Sequence, residues 1–325
     1  MAIQPRFTQL CETPFVPNAL GSVGDFIPQA TDMTFTAQEL SSNKQFLSAI
    51  LKCAHELIAI YRENPRIASI FAAQQRWLLA HCGFALHYGY PGEAAAGLYA
   101  ARYVDLVIKH QVSSRNTAVA FLQEMLAYRF LAAVPERSDR RTRLLEPTST
   151  ATDYLRRWLQ THLFILDSLD GGSRLEHLAV HPGALAIMQP IIAKAIIDSD
   201  AIRNPGPTFN LFNWVNSGGV VMDFLISRIE TMDGTSERIE IGTISMREIH
   251  QKFLISNAHL KRLLKQAAGM GSVGWSGLPG KSSFWLSRGF VSEYWSYQAE
   301  KFAIIDAACH RSAQAMAVPA RFGGS

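Results

Sequence analysis

Cysteine is scarce in this chain, in which four of 325 residues are Cys and lie far apart. Cys11, Cys53, Cys82 and Cys309 show none of the C-x-x-C spacing that structural zinc sites use. A disulfide framework is equally unsupported by this pattern. We therefore expect reduced thiols, most of them buried in a core.

Long apolar runs are also missing. No stretch of about 18 apolar residues occurs, and the first residues lack the basic, apolar and small-residue order of a signal peptide. Hydrophobic residues nevertheless make up 48% of the chain, which is enough to bury a sizeable core. We expect a globular, cytoplasmic protein with two domains and no membrane partner.

Signatures of common enzyme chemistry are absent from the sequence. It contains no G-x-G-x-x-G after a strand, no Walker loop that would cradle phosphates, and no G-x-S-x-G nucleophile elbow. These absences argue against nucleotide-dependent enzymes and against hydrolases of the usual kind. The sequence therefore favours a protein that is not an enzyme and needs no cofactor.

Two pairs of residues could still carry chemistry. His177 and His181 have a spacing that binds metals on a helix, but Pro182 argues against a continuous helix and no carboxylate follows in register. Asp167 and Asp170 could form an acid pair, but the two glycines that follow explain this stretch more simply as a helix end. No metal or catalytic site is predicted.

The clearest organisation lies in residues 239–288. An alternating stretch predicts a short strand, and Ser245 with Glu248 forms a capping-box pattern that opens a helix. Ser256 is placed to cap a second helix after a tight turn. A hairpin with its tip at 277–280 follows. The order strand, helix, turn, helix, hairpin is typical of a winged helix.

The second predicted helix of this region separates apolar from basic residues. Leu260, Leu263, Leu264 and Ala267 fall at i, i+3, i+4 and i+7, so its opposite face is exposed. Between positions 245 and 288, seven Lys and Arg residues stand against one acid, whereas the whole chain carries +4. Such local basic charge suits a polyanion. The candidate DNA-binding residues here are Ser256, Asn257, His259, Lys261, Arg262, Lys265 and Lys281.

Residues 93–147 repeat this organisation with different side chains. A helix running to about Lys109 and a second helix capped by Ser113 or Ser114 precede two strands. The strands, at 131–136 and 142–146, enclose a tip too charged to lie in a core. The candidate DNA-binding residues here are Ser113, Ser114, Arg115, Asn116, Thr117, Arg137, Arg140, Arg141 and Arg143.

The run Leu126-Ala127-Tyr128-Arg129-Phe130-Leu131, followed by Asp139-Arg140-Arg141, resembles the recognition helix and wing of MarR-type bacterial regulators. That family shows Leu-x-x-Arg-Gly-Leu-Val before an Asp-x-Arg or Asp-Arg-Arg wing. Phe130 replaces the usual Gly here, so we expect a tilted entry into the wing. The resemblance spans roughly residues 70–170 and implies DNA binding with the wing arginine in the minor groove. Residues 256–264 resemble a generic bacterial helix-turn-helix.

Amphipathic helices are predicted around both regions, at about 41–64, 69–88, 150–169, 184–197, 209–230 and 289–312. In MarR-type proteins a helix such as that at 150–169 dimerises. Trp77, Trp158 and Trp295 lie on three of these helices. They could line a ligand pocket, but aromatic residues at helical spacing are usually core, and we favour the core.

The predicted fold class is mainly α with small β-hairpin wings, in which two winged helix-turn-helix domains flanked by amphipathic helices form a MarR-like pseudo-dimer. The predicted divisions are an extended arm at 1–36, a first domain at 37–172, a connecting helix and linker at 173–208, a second domain at 209–312 and a tail at 313–325.

The predicted function is transcriptional regulation through sequence-specific binding of double-stranded DNA by two non-identical recognition helices and basic wings. A plasmid-type replication initiator and a winged-helix scaffold for protein contacts without DNA binding stay open as alternatives. A small-molecule effector and RNA polymerase are further candidate partners. The chain is expected to act as a monomeric pseudo-dimer or as a homodimer.

Overall fold

A computed structural model describes residues 34–92, 95–134, 143–232 and 236–317. These residues form a mainly helical structure with small three-stranded antiparallel sheets. The helices are α1 (Ala37–Ser42), α2 (Lys44–Glu63), α3 (Pro65–Phe71), α4 (Gln74–Tyr88), α5 (Ala100–Lys109), α6 (Arg115–Ala127), α7 (Ser149–Asp170), α8 (Arg174–Val180), α9 (Ala184–Asp198), α10 (Asp200–Arg203), α11 (Pro207–Asn213), α12 (Gly218–Ile226), α13 (Met246–Phe253), α14 (Asn257–Gly269) and α15 (Arg288–Ala317). The strands are β1 (Leu98–Tyr99), β2 (Leu131–Ala133), β3 (Leu144–Pro147), β4 (Arg238–Glu240), β5 (Val273–Trp275) and β6 (Phe284–Ser287).

Side-chain oxygens define where several helices begin. Ser114, Thr148 and Ser256 accept a hydrogen bond from a backbone N–H in the first turn of α6, α7 and α14. An N-cap of this kind satisfies one of the amide donors that a helix start leaves without a partner. The helix start predicted at Ser256 is therefore confirmed, and of Ser113 and Ser114, the two caps predicted for α6, Ser114 is the one used.

The capping box predicted at the start of α13 is only half formed. Ser245 Oγ accepts a hydrogen bond from the backbone N–H of Glu248, as expected. The Glu248 carboxylate does not return this bond, because it forms an ion pair with Lys252 one turn later. An i, i+4 pair has thus replaced the reciprocal half of the box.

Each sheet places its last strand in sequence between the other two. The orders are β1-β3-β2 and β4-β6-β5, and all pairings are antiparallel. In both cases the sequence runs strand, helix, helix, strand, strand. We call residues 98–147 the first module and residues 238–287 the second module. Strand β1 was not predicted, because two residues are too few to show alternation.

One hydrophobic core joins the helices from all parts of the described chain. α4 packs along α9, α2 packs on α7 and α12, and α15 contacts α1, α7, α9 and α11. Residues from 37–172, 173–208 and 209–312 all enter this core. The domain boundaries expected at these positions are therefore not marked by separate cores.

The helix predicted at 209–230 is interrupted. α11 ends at Asn213, α12 begins at Gly218, and Ser217 between them has a left-handed backbone with φ 61°. The chain turns so tightly that a Cβ on Gly218 would lie 1.9 Å from the carbonyl oxygen of Phe212. Helical periodicity continues across the break in the sequence, so the pattern did not reveal the turn.

The tail was predicted to begin at residue 313, but α15 continues past Ser312 to Ala317. Ser312 is fully buried, and its hydroxyl oxygen lies 3.1 Å from His177 Nε2. Residues 318–325 lie outside the described part of the chain, as do residues 1–33 of the predicted arm.

Within the described ranges, no helix has both the length and the hydropathy that a membrane crossing requires.

Three carboxylates bind one guanidinium where α7, α8 and α15 meet. Arg174 lies 3.2 Å from Asp167, 2.8 Å from Asp170 and 2.6 Å from Asp306. Asp167 and Asp170 thus do more than precede the predicted helix end at Gly171, whose backbone is left-handed. This cluster fixes the end of α7 against the middle of α15.

Replacing Gly218 with Ala is expected to destabilise the protein by about 1–3 kcal/mol or more, because the new methyl group would overlap the Phe212 carbonyl. Gly269→Ala is the matched control, since nothing lies within 4 Å of a Cβ there. Alanine also has the higher helix propensity, so this variant should be neutral or slightly more stable. Chemical denaturation of both variants measures the difference. Equal stabilities would contradict the tight turn.

Candidate nucleic-acid interface

Helix α14 is fixed in place by its apolar side. Leu260, Leu263, Leu264 and Ala267 are all buried, as the sequence predicted. Phe253, the last residue of α13, is buried in the same core. Because these residues occupy one side of the helix, the other side must face solvent.

Lys261, Arg262 and Lys265 form the exposed side of α14, which we call the basic face. None of the three has an ion pair or a hydrogen bond with a side chain in the described ranges. α14 itself contains no acidic residue. Three positive charges are therefore held within about one helical turn with no internal counterion.

Two further exposed basic residues of the second module lie outside α14. Arg247 at the start of α13 and Lys281 at the hairpin tip are exposed, and neither is paired with a described residue. The other basic residues of the region are engaged: Lys252 pairs with Glu248, and Arg288 donates to the Ser236 carbonyl at 3.0 Å. Arg247 was not among the predicted contacts, although the count of basic residues included it.

The remaining candidates in the second module have mixed roles. The Ser256 hydroxyl is used as the N-cap of α14, since it accepts from the His259 N–H at 3.2 Å. Asn257 is exposed in the first turn of the helix, and the His259 side chain is half-buried beside it. Asn257 is thus an exposed polar side chain at the helix start.

The predicted contacts at the start of α6 are largely engaged with one another. Ser114 caps the helix and its Oγ lies 3.0 Å from the Thr117 hydroxyl, while Ser113 donates to the Ser114 carbonyl. Arg115 lies 3.8 Å from Asp105, in an ion pair that is exposed on both sides. Asn116 is exposed. The only cation in α6 therefore has an acid nearby.

The exposed side of α6 includes large apolar residues, whereas that of α14 carries basic ones. Val119 and Leu126 are partly exposed along the helix, and Tyr128 directly after it is 58% exposed. Ile108 at the end of α5 is also exposed. The two modules thus share an order of elements but present surfaces of different chemistry.

The structure describes only part of the predicted first wing. Arg137, Arg140 and Arg141 lie in a segment outside the described residues. Arg143, the first described residue after it, is exposed. A contribution of these four arginines to DNA binding stays a prediction.

His177 lies in the middle of α8 and His181 is the C-cap of that helix, with the ring centroids 4.6 Å apart. His181 Nδ1 lies 3.0 Å from the His177 carbonyl, and burial lowers the pKa of His177. Among the residues that the structure describes, no group of three or more His, Cys, Asp or Glu side chains is placed to hold a metal ion.

Comparison of the chain with protein families, with curated proteins and with solved structures finds no match. The likeness to MarR-type regulators therefore rests on the sequence motifs alone. Function has to be inferred from the physical character of the two surfaces.

Replacing Leu263 with Ala should lower the free energy of unfolding by about 2–5 kcal/mol, because the side chain is 1% exposed and its loss leaves a cavity. Arg262→Ala changes the neighbouring residue on the exposed side and should alter stability by no more than about 0.5 kcal/mol. Urea denaturation of both variants compares them. A silent Leu263 change beside a destabilising Arg262 change would show that the two helix faces are reversed.

Proposed function

We propose that the protein is a transcriptional regulator that binds double-stranded DNA, with α14 as its main recognition helix. The observation that carries this proposal is the basic face of α14, where Lys261, Arg262 and Lys265 are exposed without internal counterions. Because these charges lie on a rigid helix, a polyanion can meet all three at once. The role is one of binding rather than catalysis.

Phosphate contacts explain affinity, and base contacts explain specificity. Lysine and arginine that neutralise phosphates release counterions, which supplies most of the non-specific binding. Arg262 lies mid-helix and Asn257 in the first turn. A guanidinium can bind the major-groove edge of guanine with two hydrogen bonds, and an amide can bind adenine in the same way. These two side chains are the proposed base readers.

Each module is proposed to be a winged helix, and the chain a pseudo-dimer of two. Both modules run strand, helix, helix, hairpin, and both enter one core. In such a fold the second helix enters the major groove and the hairpin reaches the flanking backbone or minor groove. Lys281 at the second hairpin tip is exposed and suits that contact.

The first module is proposed to make the weaker DNA contact. Arg115 has Asp105 nearby, and Val119, Leu126 and Tyr128 give its exposed side an apolar character. This composition favours contact with another protein, so a protein-binding role for the first module is the second candidate function. A replication initiator stays an alternative, distinguished by repeated sites at an origin.

Replacing Lys261, Arg262 and Lys265 together with Ala should weaken binding to duplex DNA and reduce its salt dependence. Each lost phosphate contact lowers the slope of log K against log salt by about 0.9, so the slope should fall by about 2–3. Fluorescence anisotropy at several salt concentrations measures both quantities.

The control variant replaces Lys44, Arg62 and Arg311 with Ala. These residues are exposed and lie outside both modules, so the net charge changes by the same amount. Binding by this control should match that of the unmodified protein. If both triple variants lost affinity equally, the overall charge rather than the basic face would account for binding.

Selection from random DNA should return an imperfect palindrome, because α14 and α6 carry different side chains and cannot read identical half-sites. One half should be well defined and the other degenerate. Arg262→Ala should cost about 1–3 kcal/mol on the preferred site and relax preference at one base position. Recovery of a perfectly symmetric site would argue against a pseudo-dimer of unequal modules.

A further inference from the structure

A cavity of about 280 Å³ lies inside the helical core. Its walls come from α2, α4, α6, α7, α12 and α15, so they include both early and late parts of the sequence. Pockets for small molecules begin at about this size. The cavity is therefore large enough for a small ligand and too small for a peptide.

The lining is mostly aromatic and aliphatic. Trp77, Phe84, Tyr154 and Trp158 contribute to it, with the rings of Trp77 and Trp158 5.9 Å apart. Trp295 is not part of the lining and packs against Phe46 instead. Two of the three tryptophans that the sequence assigned to the core thus line a cavity. Such walls favour a largely apolar ligand.

Lys301 supplies a positive group in this lining. It projects from α15, is 5% exposed, and has no hydrogen bond or ion pair with any described residue. Its Nζ lies 5.6 and 5.9 Å from the ring centroids of Tyr297 and Phe302. Burying an ammonium without a hydrogen bond or an ion pair is costly. A ligand with a negative group would compensate that cost.

Asp223 also lines the cavity, and its charge acts against the burial that lowers the pKa of Lys301. The Asp223 carboxylate accepts a hydrogen bond from the Tyr294 hydroxyl at 2.8 Å and forms no ion pair with Lys301 within 4.0 Å, so its attraction offsets the cost of burying the ammonium only in part. Burial raises the pKa of Asp223 to about 6 and that of the Cys53 thiol to about 12. Burial also lowers the pKa of His81 to about 3, so this lining residue is neutral at pH 7.

A second side chain in the lining, Gln298, hydrogen-bonds Tyr294 but leaves one polar atom without a partner. Gln298 lies one turn before Lys301 on α15 and is 4% exposed. Its Oε1 atom is buried and accepts no hydrogen bond from a described residue. Lys301 and Gln298 together provide polar groups on one side of an otherwise apolar space. This arrangement orients a ligand that has one polar end.

We propose that this cavity binds a small, largely apolar monocarboxylate, whose carboxylate pairs with Lys301 and whose body packs against Trp77 and Trp158. Phe121, Leu122 and Met125, from the buried side of α6, also line the cavity. The cavity therefore extends to the second helix of the first module. An effect of the ligand on DNA binding rests on the proposed function, whereas the binding itself does not.

The test measures binding without DNA, by quenching of tryptophan fluorescence and by thermal shift. The probes are 3-phenylpropionate, its neutral amide and 3-phenylpropylamine, which share one apolar body. The carboxylate should bind at least about tenfold more tightly than the amide, because a charged hydrogen bond is lost with the amide. The amine should not bind. Equal binding of acid and amide, or no binding of the acid, would overturn the proposal.

Lys301→Met keeps the length and apolar stem of the side chain and removes its charge. Affinity for the carboxylate should fall at least about tenfold while affinity for the amide stays the same. Removal of an unpaired buried charge should not destabilise the protein, so a folded variant is expected. Lys301→Arg should retain preference for the acid, and Lys52→Met on the surface of α2 is the control. Undiminished carboxylate binding by Lys301→Met would also refute the site.

Discussion

Burial of α15 is the constraint on which the rest of the structure depends. This helix of 30 residues begins directly after β6 and crosses the core, with buried residues on more than one side. Phe302 packs edge-to-face on Phe46 of α2, and Tyr294 donates to Asp223 of α12. A helix covered on several sides cannot shift without disturbing each neighbour. The second module, joined to α15 by β6, is therefore placed by the core rather than by a flexible connection.

Local patterns predicted α14 well because all the information lies within one helix. Ser256 caps it, Leu263 and its apolar neighbours define the buried side, and the basic face follows from the same periodicity. The break before Gly218 and the two-residue strand β1 depend instead on residues distant in sequence. Lys301 illustrates the same difficulty, since a lysine in an amphipathic helix is normally exposed. Only packing from several helices buries it.

The two modules show that a shared order of elements does not fix a shared surface. Their cores need apolar residues at corresponding positions, and both sequences supply them. The exposed sides are free of that requirement, so they can differ. The exposed side of α14 carries basic residues, whereas the exposed side of α6 includes Val119 and Leu126. Electrostatic attraction would act on a polyanion more strongly at the second module than at the first.

The position of α15 also determines how the chain can fold as it is synthesised. α1 and α15 contact each other, and the Phe35 backbone N–H donates to Asp306 at 2.7 Å across most of the described sequence. Until residues 288–317 have left the ribosome, α2, α7 and α9 lack one of their main packing surfaces. Their apolar sides are then open to chaperones and to aggregation. The core closes late, so fragments that lack α15 should be poorly folded whichever module they retain.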